Sequence, residues 1–159
     1  MLLFERARQG DGQALGALAS RHWSTVYCVA WNMLADVEVA AEAAEATFLA
    51  VLRSDQAFPA GVPFTTSLYR VVLGEAWRRL RAPPQAPASA KKPAGRTPEM
   101  LQRLDSLDRA AFILRELEEL SANEAAEVLG IAPASIRERT HRATLLLAGG
   151  LSSVPAAQS

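Results

Sequence analysis

The sequence is poor in cysteine, in net charge and in long hydrophobic runs, and each shortage excludes a class of protein. Cys28 is the single cysteine, so an internal disulfide is impossible and a reducing compartment is expected. Acidic and basic residues number 17 each, whereas a free-standing nucleic-acid binder usually carries a basic excess. No run approaches the roughly 20 apolar residues of a membrane span, and the amino terminus lacks the apolar core of a signal peptide. We therefore expect a cytoplasmic protein with no membrane partner.

Residues suited to catalysis or metal binding are also scarce. His22 and His141 fall in different halves of the chain, and one cysteine leaves no metal-ligand spacing. Cys28 lies in an apolar helical stretch and is expected to be a small core residue. The early glycines lack the strand-turn-helix context of a phosphate-binding loop. The sequence therefore predicts a protein that is not an enzyme, with no metal, no cofactor and no small-molecule substrate.

Half of the 159 residues are hydrophobic, which is enough for a packed core, and their spacing is helical. No stretch alternates with the period of a strand. Residues 82–98, "APPQAPASAKKPAGRTP", contain five prolines and read as an extended linker. We therefore predict an all-α protein of two small helical domains, residues 1–81 and 101–151. A flexible linker at 82–100 joins them, and a disordered tail follows at 152–159.

The amino-terminal domain shows three helical stripes with recognisable starts. Asp11 can cap the first and Asp36 begins the second, while the third runs from Phe64 to Arg81. The predicted inward positions of these helices are Ala14, Leu15, Leu18, Ala19, Val26, Val29, Ala30, Met33, Ala40, Ala43, Thr47, Phe48, Val51, Phe64, Leu68, Val71, Val72 and Ala76.

The carboxy-terminal domain shows a helix, a glycine turn and a second helix. Ser121 and Glu124 have the spacing of a capping box, Gly130 can close that helix and Pro133 suits the start of the next. The preceding helix should turn Ala111, Phe112, Leu114 and Leu117 inward, and the last one Ile136, Thr140, Ala143 and Leu147.

This order of elements is the helix-turn-helix pattern, whose second helix presents its first turns to base edges. The candidates for base contacts are Ala134, Ser135, Arg137 and Glu138. Arg139, His141 and Arg142 lie further along, where phosphate contacts are expected. The alternative is that these arginines only solvate one face of a packed helix.

Residues 107–146 closely resemble the fourth region of bacterial sigma factors, particularly the extracytoplasmic-function group. The match is contiguous over about forty residues and ends in the tail Ile136–Ala143, "IRERTHRA". The resemblance implies that this helix-turn-helix reads the upstream, minus thirty-five, promoter element. Ala132 departs from the pattern, because a capping serine is usual there, and such a cap typically contributes about 1 kcal/mol.

The amino-terminal domain resembles the second region of the same family. The resemblance implies that the helix at Asp36–Leu52 binds the clamp helices of RNA polymerase, although Ala46 and Ala50 replace usual polar residues. The polymerase-binding candidates carried over are Asp36, Glu42, Glu45 and Phe48.

The helix at Phe64–Arg81 should, by the same resemblance, melt and read the downstream, minus ten, element. Thr65, Ser67 and Gly74 replace a usual arginine, tryptophan and asparagine, which suit the stacking and hydrogen bonding of unpaired bases. The residues that could substitute are Arg70, Trp77, Arg78 and Arg79. The alternative is a core Trp77 with the arginines on a solvated face.

Three functions follow from these patterns. The first is an extracytoplasmic-function sigma factor whose partners are core RNA polymerase, promoter DNA and an anti-sigma factor. The second is a degenerate sigma-like module that binds polymerase or an anti-sigma factor without opening promoters. The third is a helix-turn-helix regulator that acts alone, which the near-neutral charge disfavours.

Overall fold

The computed structural model describes residues 2–53, 56–83 and 96–152. The chain divides into two compact units, Met1–Ala94 and Gly95–Ser159. All regular secondary structure in the described ranges is helical, so the all-α prediction is confirmed. None of the helices in these ranges is long and apolar enough to cross a membrane.

The amino-terminal unit consists of α1 (Leu2–Arg8), α2 (Gly12–Leu34), α3 (Val37–Arg53) and α4 (Phe64–Arg81). The Asp11 carboxylate caps α2 by accepting hydrogen bonds from the backbone N–H groups of Gln13 and Ala14, at 3.0 and 3.1 Å. The Asp36 carboxylate accepts from the second and third residues of α3, at 2.9 and 3.0 Å. Both predicted starts are therefore confirmed, because each aspartate satisfies backbone donors that lack a helical partner.

The apolar faces of α2, α3 and α4 meet in one core, with Val29, Met33 and Val72 fully buried. At one side of this core the rings of Phe4, Phe58 and Phe64 lie 5.1–5.5 Å apart between centroids. Most of the predicted inward positions are buried, although four are half-buried: Leu15, Ala19, Phe64 and Val71. Cys28 is also half-buried, so its predicted core position is only partly correct.

The carboxy-terminal unit consists of α5 (Arg96–Leu101), α6 (Ser106–Phe112), a π-type turn (Ile113–Leu117), α7 (Ala122–Leu129) and α8 (Pro133–Ser152). Residues 96–100, at the carboxy-terminal end of the predicted linker, are helical and belong to α5. The rest of the predicted linker, residues 84–95, lies outside the described residues. So does the predicted tail beyond Ser152.

The π-type turn corrects the predicted inner face of this region. The N–H of Glu118 donates to the carbonyl of Ile113 at 3.0 Å, five residues back, so the turn is wider than an α-helical one. Ile113 and Leu114 are buried, but Leu117 is 40% exposed. Leu117 therefore does not lie on the buried face, where a regular α-helix would have placed it.

Candidate nucleic-acid interface

Helices α7 and α8 form a helix-turn-helix whose local structure follows from a few residues. Ser121 Oγ accepts from the Glu124 N–H at 3.2 Å, and the Glu124 carboxylate accepts from the Ser121 N–H at 2.7 Å. Gly130 ends α7 in the left-handed conformation, with φ of 66°, which costs glycine no steric strain. Pro133 begins α8. The predicted capping box, turn and helix start are thus confirmed.

The inner face of α8 is anchored by Ile136 and Ala143, both fully buried, and by Thr140. Leu147 is half-buried. The outer face begins with the candidates for base contacts, of which Ala134, Arg137 and Glu138 are exposed and Ser135 is half-buried. His141 is exposed one turn further on. The structure therefore leaves the amino-terminal turns of α8 accessible, as a recognition helix requires.

Two of the arginines of α8 are bound within the protein by Asp108 of α6. Arg139 Nη1 donates to Asp108 Oδ1 at 2.7 Å. Arg142 donates through Nε and Nη2 to the two carboxylate oxygens, at 2.7 and 2.6 Å. The Asp108 side chain is only 3% exposed. Burial alone would raise the pKa of Asp108, but the hydrogen bonds from Arg142 and Arg139 hold it below its ordinary value.

A second arginine network sets the position of α6. Arg109 is buried, and its guanidinium donates to the carbonyls of Leu101 and Leu104 at 2.9 and 3.0 Å. These carbonyls lie at and after the end of α5, and the Leu101 carbonyl also accepts a hydrogen bond from the Leu104 N–H at 3.1 Å. Burial lowers the pKa of Arg109, yet an arginine stays charged in proteins. The two networks fix the helix that carries Asp108 to the rest of the unit.

The candidate downstream-reading helix, α4, shows a different arrangement. Trp77 is half-buried and lines a surface groove together with Gly74, Arg78, Arg81 and Ala82, so the core alternative for Trp77 is wrong. Arg70 is half-buried.

Arg78 and Arg79 both form ion pairs with Glu75, with N–O distances of 2.6 and 2.5 Å. Burial alone would raise the pKa of Glu75, but the hydrogen bonds from these two arginines hold it below its ordinary value.

The three departures from the family pattern on α4 differ in exposure. Thr65 and Gly74 are exposed, whereas Ser67 is 1% exposed and its Oγ has no hydrogen-bond partner within the described structure. Position 67 therefore faces the core of the unit here, and a base could not stack on a side chain at that position without a rearrangement.

Two of the candidate polymerase-binding residues on and before α3 are exposed, and the other two are engaged within the unit. Glu42 and Glu45 are exposed, while the Asp36 carboxylate is engaged in the helix cap. Phe48 is 5% exposed and stacks on Trp23, with ring centroids 6.0 Å apart. Its assignment as a contact residue is therefore corrected: Phe48 is a core residue.

Sequence reasoning missed two other residues on the exposed side of α3. Leu49 and Leu52 are each 42% exposed and follow Glu42 and Glu45 at helical spacings of three and four residues. The signal that could have found them is their position outside the buried stripe. The exposed face of α3 is thus acidic in its first half and apolar in its second.

The fold and this interface define a helix-turn-helix protein of two helical units. Residues 95–147 match the protein family described as Sigma-70, region 4. The chain is 29% identical over 155 residues to the RNA polymerase sigma factor CarQ of Myxococcus xanthus, and the match covers 87% of this chain and 89% of that protein.

Solved structures match the fold over most of the chain. The chain in the structure of CnrH in complex with the cytosolic domain of CnrY is matched with a TM-score of 0.78 at 26% identity, over 96% of this chain and 97% of that one. A chain in the structure of the sigma factor RpoE with the anti-sigma factor NepR, from Bartonella quintana, shares the fold with a TM-score of 0.70 at 17% identity, over 87% and 97%. The predicted resemblance to sigma factors is therefore confirmed.

Proposed function

We propose that the chain is an extracytoplasmic-function sigma factor that binds core RNA polymerase and directs promoter recognition. The observation that carries the proposal is the accessible start of α8 on a well-anchored helix-turn-helix, within residues that match region 4. Arg137 has no hydrogen-bond or ion-pair partner among the described residues. An exposed, unpaired arginine near the start of a recognition helix suits bidentate contact with guanine.

In this proposal Arg137, with Ala134, Ser135 and Glu138 beside it, faces the base edges of the upstream element. His141 lies one turn further, toward the DNA backbone. The α3 surface that carries Glu42 and Glu45 binds polymerase, and α4 contributes Trp77 and its neighbouring arginines to the downstream element. An anti-sigma factor is a further proposed partner, since the RpoE relative has been solved with one.

A second candidate function is a sigma-like module that binds polymerase or an anti-sigma factor without opening promoters. The observation that favours it is the side-chain arrangement of α4. Ser67 is buried, Gly74 adds no side chain to the groove, and Glu75 pairs with Arg78 and Arg79. Promoter melting needs side chains that hold unstacked bases, and this helix offers few of them.

Reconstituted transcription separates the two functions. The full chain would be combined with core RNA polymerase, and transcripts would be initiated from a pool of genomic DNA fragments. The sigma-factor proposal expects co-elution with core polymerase and discrete new transcripts. Co-elution without any transcript would favour the interaction module. Absence of co-elution would contradict the sigma-factor proposal and would restrict the interaction module to an anti-sigma partner.

Two pairs of variants make the experiment specific. Arg137→Ala should reduce transcription from the identified promoters and relax base preference at one or two upstream positions, with a loss of about 1–3 kcal/mol in binding. Its matched control is Arg21→Ala, the same change at an exposed position of α2. Glu42→Lys should weaken co-elution with polymerase, while Glu5→Lys, the same charge change on exposed α1, should not. Equal effects of a variant and its control would contradict the residue assignment.

A further inference from the structure

Carboxylates lie close to the arginines of the recognition helix. The cations of α8 are Arg137, Arg139 and Arg142. Glu138 lies on the same helix, and Asp105 and Asp108, at the start of α6, lie close to Arg142. Asp105 Oδ2 is 4.0 Å from Arg142 Nη2, and the negative charge of Glu138 also raises the pKa of Arg142, after the larger effect of Asp108.

Asp108 accepts hydrogen bonds from the guanidinium groups of Arg139 and Arg142, as a DNA phosphate would. Arg142 uses its Nε–Nη2 edge in a bidentate pair with the carboxylate, and Arg139 adds a third hydrogen bond. Bidentate arginine pairs are formed with carboxylates and phosphates alike. A phosphate that used these donors would have to displace an almost fully buried carboxylate, which would then lose all three hydrogen bonds.

We infer that Asp108 is a specificity-determining residue that withholds Arg139 and Arg142 from DNA phosphates and so keeps sequence-independent binding weak. This inference rests on the proposed function of α8 as a recognition helix. Affinity for random DNA arises because arginine and lysine neutralise phosphates and thereby release the counterions bound to the DNA. Arg137 remains available for base contacts, so the Asp108 carboxylate weakens binding to random DNA more than it weakens binding to the upstream element.

The test measures binding of the full chain to a short random-sequence duplex across a salt series. Asp108→Asn keeps the side-chain volume but removes the negative charge. We expect it to tighten binding at low salt and to steepen the log–log salt slope by about one to two units, since each phosphate contact contributes about 0.9. The ratio of upstream-element to random-duplex affinity should fall. Unchanged or weaker random-duplex binding by a folded Asp108→Asn chain would overturn the inference, and so would undetectable binding by both chains.

Single arginine variants decide the matter even if Asp108→Asn fails to fold. Arg142→Gln in the original chain should reduce the slope by much less than one unit, because Asp108 already occupies Arg142. In the Asp108→Asn background, Arg142→Gln should reduce the slope by about a full unit. A loss of a full unit for Arg142→Gln in the original chain would overturn the inference. Failure of the sigma-factor function would show instead as absence of polymerase-dependent transcripts, whatever these slopes are.

Discussion

His22 lies where protonation conflicts with packing. Its ring contacts Phe64 edge to face, with centroids 5.4 Å apart, beside the Phe4–Phe58 cluster that joins α1, the loop before α4, and α4 itself. Partial burial, and secondarily the charge of Arg21, lower the pKa of His22 below its ordinary 6.5. The folded state therefore favours the neutral ring, and protonation favours the unfolded chain.

This conflict predicts an acid-sensitive amino-terminal unit. The contribution of neutral His22 to the free energy of unfolding is fully present above pH 6.5. It is lost as the pH falls below that value, because the unfolded state binds the proton more readily. Urea unfolding at about pH 7.5 and about pH 5.5 should show a decline that His22→Phe largely abolishes. The matched control, His141→Gln on exposed α8, should retain the decline. Asp11 and Glu75 have lowered pKa values and ordinary values of 3.8 and 4.5, so their contributions are lost only at lower pH.

Ala35 ends α2 in a conformation that alanine disfavours. Its φ is 54°, in the left-handed region, and its N–H donates to the carbonyl of Trp31 at 2.8 Å. A side chain in this region costs about 1–2 kcal/mol, which glycine avoids. Ala35→Gly should therefore raise the free energy of unfolding by about 1 kcal/mol. The reverse change, Gly130→Ala, should lower it by a similar amount, because φ is 66° there and the space around the position is open. Chemical denaturation of both variants checks the two signs.

At the scale of an element, α7 depends on its cap. It has eight residues, too few for a stable isolated helix, so the Ser121–Glu124 box carries much of its amino-terminal order. Ser121→Ala should lower the free energy of unfolding of the carboxy-terminal unit by about 1 kcal/mol. Asn123→Ala, an exposed change inside the same helix, should alter it by only a few tenths. Comparable losses in thermal melting for both variants would contradict a dominant role for the cap.

The helices show which structural features local sequence patterns can predict and which they cannot. Helix α4 spans Phe64–Arg81, as the helical spacing of its apolar residues predicts, since that signal is local. Asp108 could not be interpreted in this way, because its partners are 31 and 34 residues away. Arg109 could not either, since a charged residue is expected on the surface until its carbonyl partners are known. The local pattern therefore predicted the accessible turn of α8, but not the acid that binds its arginines.

At the scale of the whole molecule, the two compact units have separate cores. We therefore predict that residues 1–83 and 95–159 fold as separate fragments, each with its own cooperative transition. The helical circular dichroism of the two fragments should sum to that of the full chain. Domains of this size are marginally stable, so melting should be measured at low temperature as well. A fragment without helical signal would show that its core needs the other unit.

The wide turn at Ile113–Leu117 has a consequence for changes in chain length. Such a turn holds one residue more than the α-helix it interrupts. Loss of one residue there, such as exposed Glu116, can be absorbed by tightening the turn into a regular helix, with the downstream phase preserved. A one-residue deletion inside α8 would instead rotate every later side chain by about 100° and move Thr140 and Ala143 out of the core. The segment before the helix-turn-helix is therefore where a one-residue deletion should be tolerated as the domain diverges.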